Sequence, residues 1–391
     1  MITYEEALKI INTGNFAFRV IELDIIDSVG FVAAEDLVSD ADMPPFNKSA
    51  MDGYACRLAD LNRELEIIES VSAGSIPQKK ITEATCSKIM TGARVPEGAD
   101  CVIMVEYTEK VNENTVRFTA KNTKSNICLQ GEDVKKGDVV IKRGELIHPA
   151  SVGLAASVGK LKLKVYKAPV IAIITTGDEL VEPDQKANEV QIRNSNSYNI
   201  QAQLKQIPAT VKYLGIVKDN KAEIEKAISK ALTDSDILIL TGGVSMGDKD
   251  YVPEILNSTG LKILFHNMAI QPGKPVAFAA GENKFCFALS GNPVSSLLQF
   301  ELLVRPFIYK FMGNKYSPRI IKTMLMQDKK REKAERIQFF PVYLDNGTAR
   351  LIEFHGSAHI AGIHKADGFG IFEIGEFEIQ CGNEIRILLI H

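Results

Sequence analysis

The stretch Thr241-Gly-Gly-Val-Ser-Met-Gly-Asp-Lys-Asp-Tyr251 limits the architecture more than any other part of the chain. An apolar run of strand length, Asp236-Ile-Leu-Ile-Leu240, precedes it, and Tyr251-Val-Pro-Glu-Ile-Leu256 is able to start a helix after it. The order strand, glycine-rich turn, acidic exit, helix puts the turn at a strand's carboxyl end. Gly242, Gly243 and Gly247 lack a Cβ, so the backbone bends tightly there and comes close to a ligand. Amide groups in such a turn cradle phosphate oxygens, and Ser245 adds a hydroxyl. Asp248 and Asp250 then set carboxylates where an anion would sit. A bound divalent cation resolves that conflict most simply.

The residues around this turn repeat the same grammar. Strands are expected at 170–174, 211–217 and 237–240, and helices at 196–206, capped by Ser195 or Asn196, and at 220–232. Ile224, Ala227, Ile228 and Ala231 line one face of the second helix. Such alternation predicts a parallel sheet covered on both faces. A hairpin follows, 276–280 with 285–289, and then a long helix over 293–312 that starts on proline. Ligands of such sheets bind beyond the carboxyl ends of the strands. Both the Gly242 turn and Thr175-Thr-Gly-Asp-Glu-Leu180 sit there.

The flanking regions read differently. Thr3 and Glu6 have capping-box spacing, which predicts a helix to about Asn12 with Gly14 just past it. Two prolines and a glycine in 43–54 exclude helix and predict an ordered loop entering a strand. The 65–145 region is rich in β-branched residues and turns, with a buried strand at 101–105, and reads as a small β domain. The apolar spacing of 148–159 predicts a helix that packs back on the first one, making the β domain an insertion. After Ser317-Pro318 the chain reads as short strands, with 339–344, 351–354 and 370–374 as candidates.

At 391 residues, two to four domains are expected. A net charge of −3 gives no general attraction to nucleic acid or to acidic membranes. No apolar stretch is long enough to span a bilayer, and the N-terminus has no basic region leading into an apolar core. The six cysteines are scattered and form no C-x-x-C pair, which points to reduced thiols and a cytoplasmic setting.

Among the chemistry-bearing residues, Asp178 fits a turn or cap, whereas Glu179 faces the same strand ends as the Gly242 turn. Asp219 alone would be a helix cap. Together with Glu179, Asp248 and Asp250 it completes a carboxylate cluster whose oxygen ligands suit Mg²⁺. Ser290-Gly-Asn-Pro293 is equally a plain helix start or an anion-attracting helix end. Lys274, fixed between prolines in Gln271-Pro-Gly-Lys-Pro275, is aimed at an oxyanion. His355, His359 and His364 lack a carboxylate at metal-triad spacing, and Cys286 reads as a small core residue.

Eight ordered segments carry a resemblance over nearly the whole chain. They are 44–54, Met90-Thr-Gly-Ala93 with Pro96-Glu-Gly-Ala-Asp100, Gly131-Glu-Asp133, Thr176-Gly-Asp-Glu-Leu180, Asn194-Ser-Asn196, 242–251, Pro272-Gly-Lys-Pro275 and Ser290-Gly-Asn-Pro293. The sequence resembles the molybdopterin molybdenumtransferases, which insert molybdate into adenylylated molybdopterin with release of AMP; the gephyrin E domain is of the same family. The resemblance implies an α/β plus β, multidomain fold. Its parts are a small helical domain (1–40 and 140–166), an inserted β domain (41–139), a central three-layer α/β molybdopterin-binding-like domain (167–316) and a C-terminal β barrel (317–391). It implies a homodimer and a Mg²⁺-dependent enzyme that meets an upstream adenylyltransferase and downstream molybdoenzymes. Catalytic positions fall on Asp52, Asp133, Glu179, Asp219 and Asp250, and metal ligands on Glu179, Asp248 and Asp250. Substrate contacts fall on Thr91, Thr176, Gly177, Asn194, Ser195, Gly242, Gly243, Ser245, Lys274, Gly291, Asn292, Pro293 and Ser357. The chain departs from the family where Gln271 replaces a common lysine and Asn47-Lys48 a common Asp-Asn.

Two other readings compete. Molybdopterin adenylyltransferases share the α/β fold and the glycine turn, but not the additional domains or Ala50-Met-Asp-Gly-Tyr54. A gephyrin-like scaffold would need no carboxylate cluster, and no long linker is present.

Overall fold

Val170–Thr176 and Ile237–Thr241 lie side by side, in parallel, at the middle of a six-stranded sheet. Side chains alternate across a strand, and both strands use each face for a core. Ile171, Ile173, Ile237 and Ile239 point one way, and Ala172, Ile174, Leu238 and Leu240 the other. Each buried isoleucine contributes about 1.5–3 kcal/mol relative to exposure. The full order is Thr210–Val217, Val170–Thr176, Ile237–Thr241, Phe285–Leu289, Ala277–Ala280, Lys262–His266. The first four strands run parallel, and the hairpin and the edge strand are antiparallel. The sheet is therefore mixed, not purely parallel. Lys262–His266 went unnoticed in the sequence because it is a short edge strand that leaves Leu264 exposed.

The computed structural model describes residues 1–13, 16–243 and 252–390. The chain forms two compact units, Met1–Glu35 with Gly144–His148 and Lys162–His391, and Asp36–Arg143 with Pro149–Leu161. The helix Tyr4–Asn12 belongs to the first unit. Its amino end is closed by the expected reciprocal pair, Glu6 N to Thr3 Oγ1 and Thr3 N to Glu6 Oε2. It packs on the helical segment 300–311. The helix Pro149–Ser157 belongs to the second unit and packs on the strand Val139–Ile141. The two helices thus fall in different units.

One face of the sheet is covered by the helices Asn196–Leu204 and 293–311, the other by Lys221–Asp234 and Val252–Ser258. Three local expectations are corrected. Asn220, not Asp219, caps Lys221–Asp234, accepting from the backbone N–H groups of Ala222 and Glu223. Ser195 stands at the N-cap of the Asn196–Leu204 helix as expected, but the side-chain bond comes from Asn194, whose Oδ1 accepts from Ser197 N at 3.3 Å. The 293–311 helix widens into a π turn at Phe300–Val304 between two α segments. Pro306 explains the widening, since it lacks an N–H and its ring crowds the carbonyl four residues back.

The C-terminal strands form a ring. Ile337–Asp345 pairs with Gly368–Phe372, which pairs with Glu384–Leu389, which pairs with Ile320–Met324. Thr348–Leu351 pairs back on Ile337–Asp345, and the Leu325–Ala349 bridge closes the circuit. The strand expected at 351–354 ends at Leu351. The next partner is Pro341, which accepts from Ile352 N at 3.3 Å but has no N–H to return. In the second unit a six-stranded sheet runs Cys101–Met104, Gly53–Cys56, Thr85–Ile89, Glu64–Val71, Thr115–Phe118, Thr108–Asn112. A Cβ on Gly53 would lie 1.9 Å from the Ile103 carbonyl oxygen, so no other residue admits this strand pairing.

Candidate functional site

The carboxyl ends of the central parallel strands bring separate sequence segments into contact. Gly242, at φ +86°, lies against Thr176: a Cβ there would be 2.4 Å from the Thr176 carbonyl oxygen. Gly243, at φ +62°, would put its Cβ 3.0 Å from Thr176 Oγ1. Gly291 faces the Gly242 Cα, and its carbonyl accepts from Asn196 Nδ2 at 2.7 Å. Thr176 Oγ1 is buried and has no hydrogen-bond partner among the described residues. Three glycines and this hydroxyl thus form a close-packed shelf at the strand ends.

The neighbouring turn carries the acidic group. Gly177 N donates to Val217 O at 3.3 Å, and Asp219 N donates to Asp178 Oδ1 at 3.2 Å, so the ends of two adjacent strands are tied. The Glu179 carboxylate lies over Gly177, whose Cβ would be 2.7 Å from Glu179 Oε2. Glu179 is exposed, and no described residue donates to its oxygens. Among the described residues no three His, Cys, Asp or Glu side chains converge closely enough to hold a metal ion. Ser245, Asp248 and Asp250 lie outside the described residues. His355 and His359 stack at 5.0 Å and His355 Nε2 is 3.1 Å from Glu353, without a third ligand.

Gly291, Asn292 and Pro293 lead into the Pro293–Gln299 helix beside this shelf. Pro293 has no N–H, and Val294 N donates to the Ser357 carbonyl at 3.1 Å. Ser357 therefore meets the site through its backbone, and the helix end offers an anion less than its sequence promised. Lys274 is exposed. Ser195 is exposed and makes no capping bond. Asn194 is buried and committed to the fold: besides capping, its Nδ2 donates to the Tyr213 hydroxyl at 2.9 Å. Tyr213 donates to Glu182 Oε1 at 2.6 Å, and Tyr198 to Glu182 Oε2 at 3.1 Å. Burial, and then the bond to Glu182, push the Tyr213 phenol above its ordinary value. This network was missed in the sequence, where Tyr213 is one alternating residue of a strand and Glu182 one acid in a loop.

In the second unit, Asp52 and Thr91 meet across 39 residues. Asp52 Oδ1 accepts from Thr91 N at 2.6 Å and from Thr91 Oγ1 at 2.8 Å. These two bonds, the backbone one first, hold the carboxyl below its usual range. Asp133 is exposed in a turn whose backbone N–H donates to Met43 O.

The chain is similar to known proteins over nearly its whole length. Residues 2–159 match the family model described as MoeA N-terminal region (domain I and II), and residues 172–310 one described as probable molybdopterin binding domain. A Staphylococcus epidermidis protein named molybdopterin molybdenumtransferase is 36% identical over 99% of this chain and 95% of its own length. A Haemophilus influenzae protein of the same name is 38% identical over 81% of this chain and 79% of its own. The crystal structure of the molybdopterin biosynthesis moeA protein of Pyrococcus horikoshii OT3 superposes with a TM-score of 0.83 at 30% identity, covering all of both chains. On this full-length similarity, the chain belongs to the molybdopterin molybdenumtransferase family.

Proposed function

We propose that the protein inserts molybdenum from molybdate into adenylylated molybdopterin and releases AMP. The glycine shelf carries the reading: Gly242 and Gly243 pack on Thr176 and Gly291 on Gly242, over a buried hydroxyl with no partner among the described residues, in a chain that matches a named transferase over 99% of its length. The shelf would take the pterin phosphate and the adenylate. Lys274 and nearby hydroxyls would take molybdate, a tetrahedral dianion. As the dithiolene sulfurs bond to molybdenum, oxide leaves it as water; the phosphoanhydride is cut by water and AMP departs.

Like charges in a partly desolvated cleft repel strongly, so the protein's chief task is to position two anions and screen them. Glu179, with Asp248 and Asp250, would hold Mg²⁺, since its oxygens carry no described hydrogen bond and hard oxygen donors suit that ion. When bound, the ion neutralises phosphate charge. Asp52, kept ionised by Thr91, would orient a water, and Asp133 is a further catalytic candidate. A homodimer would complete the site, and the upstream adenylyltransferase and downstream molybdoenzymes are the expected partners. A cytoplasmic setting fits the free cysteines and the lack, among the described residues, of any helix long and apolar enough to cross a membrane.

The test is AMP release from adenylylated molybdopterin. Release that requires molybdate supports the proposal, and folded protein giving none overturns it. Formation of the adenylate from ATP and molybdopterin would mark an adenylyltransferase instead.

A further inference from the structure

We propose that Gln299 is the positioning residue that sets Lys274 at a fixed spacing from the Gly291 turn, and so governs how the oxyanion is held. Gln299 is fully buried at the last α-helical residue before the π turn. Its Nε2 donates to the carbonyls of Gly273 and Pro275, each at 2.7 Å. Its Oε1 accepts from Ser290 N at 2.9 Å. One amide therefore grips the carbonyls on both sides of Lys274 and, with its remaining atom, the residue that opens the Ser290-Gly-Asn-Pro293 turn.

The chemistry requires this side chain. A buried group here must supply two donors and one acceptor in one plane, which only a carboxamide offers. The approach also requires Gly273, at φ +101°, whose Cβ would lie 3.1 Å from Gln299 Nε2. Lys274 has no hydrogen bond from its side chain among the described residues, so its ammonium is held by its backbone and left to donate outward. The Gly291 carbonyl is held in turn by Asn196. The two turns that would contact an oxyanion thus share one internal strut, invisible in sequence because its two carbonyl partners lie 24 to 26 residues away.

The proposal rests on the reading of Lys274 as an oxyanion contact, and the experiment separates the two. Molybdate KM, AMP release and affinity for adenylylated pterin are measured for Gln299→Met, Lys274→Ala and the double variant. Gln299→Met is expected to raise molybdate KM about tenfold, the loss of one well-set charge-assisted hydrogen bond, with pterin affinity within about twofold. The double variant should be no worse than Lys274→Ala alone. If Lys274→Ala leaves molybdate KM unchanged, the reading of the site fails and the proposal with it. If Lys274→Ala raises it but Gln299→Met does not, or if their effects multiply, the proposal alone fails. Should Gln299→Met not fold, Gln299→Glu supplies the second reading. Buried beside two carbonyl oxygens, its carboxyl is held protonated and restores one of the two donors, so molybdate KM should lie between those of wild type and Lys274→Ala. A KM equal to that of wild type would overturn the proposal.

Discussion

Glu179 and Asp52 are both exposed carboxylates on strand-end turns, yet the fold treats them oppositely. Asp52 already accepts two hydrogen bonds from Thr91 on one oxygen, which fixes its direction and keeps it charged. Glu179 is laid over Gly177 without a described donor. A carboxylate that the protein has satisfied is suited to orienting a neighbour, whereas an unsatisfied one is left for a ligand. On the proposed function, the contrast would give different duties to two acids that look equivalent in sequence.

Four measurements break or sharpen this contrast, ranked by their effect on stability. Gly242→Ala should lose about 2–4 kcal/mol in chemical denaturation, because the new Cβ meets backbone and the conformation is left-handed. AMP release should fall with it, as the shelf on Thr176 is displaced. Tyr213→Phe should cost about 1–2 kcal/mol by thermal melting, since it strips a partner from buried Asn194 and from Glu182. Glu179→Gln should change stability by less than about 0.5 kcal/mol and yet lower AMP release roughly 100-fold. A matching loss of stability would show that Glu179 serves the fold after all. The Asp52 pair predicts a pH effect of definite sign. Its folded carboxyl is depressed, so its stabilisation is complete above the unfolded value of about 3.9 and is lost as the pH falls through the lower folded value. Melting curves of wild type and Thr91→Val should therefore differ at neutral pH and converge in acid; a gap that stays constant with pH would remove the linkage.

The central sheet was legible because its strands are uninterrupted apolar runs, as in Val170-Ile-Ala-Ile-Ile174, and its first helix because Thr3 and Glu6 state their own cap. Family segments marked where the strand ends would meet. What stayed hidden was relational. Asn194 caps a helix from outside it, Gln299 answers to carbonyls far upstream, and Pro341 cuts a strand short by failing its neighbour. Local patterns of period two or 3.6 carry no trace of such partnerships. Cys286 is the fully buried core residue its sequence setting implied.

The carbonyl of Ser357 seated on Val294 N has a wider meaning. It makes the terminal barrel a stopper for the amino end of a helix in another layer of the same unit. A shortened chain ending before residue 317 would uncork that end and also strip Phe339, Phe369 and Leu388 from the core they share with Leu298 and Leu302.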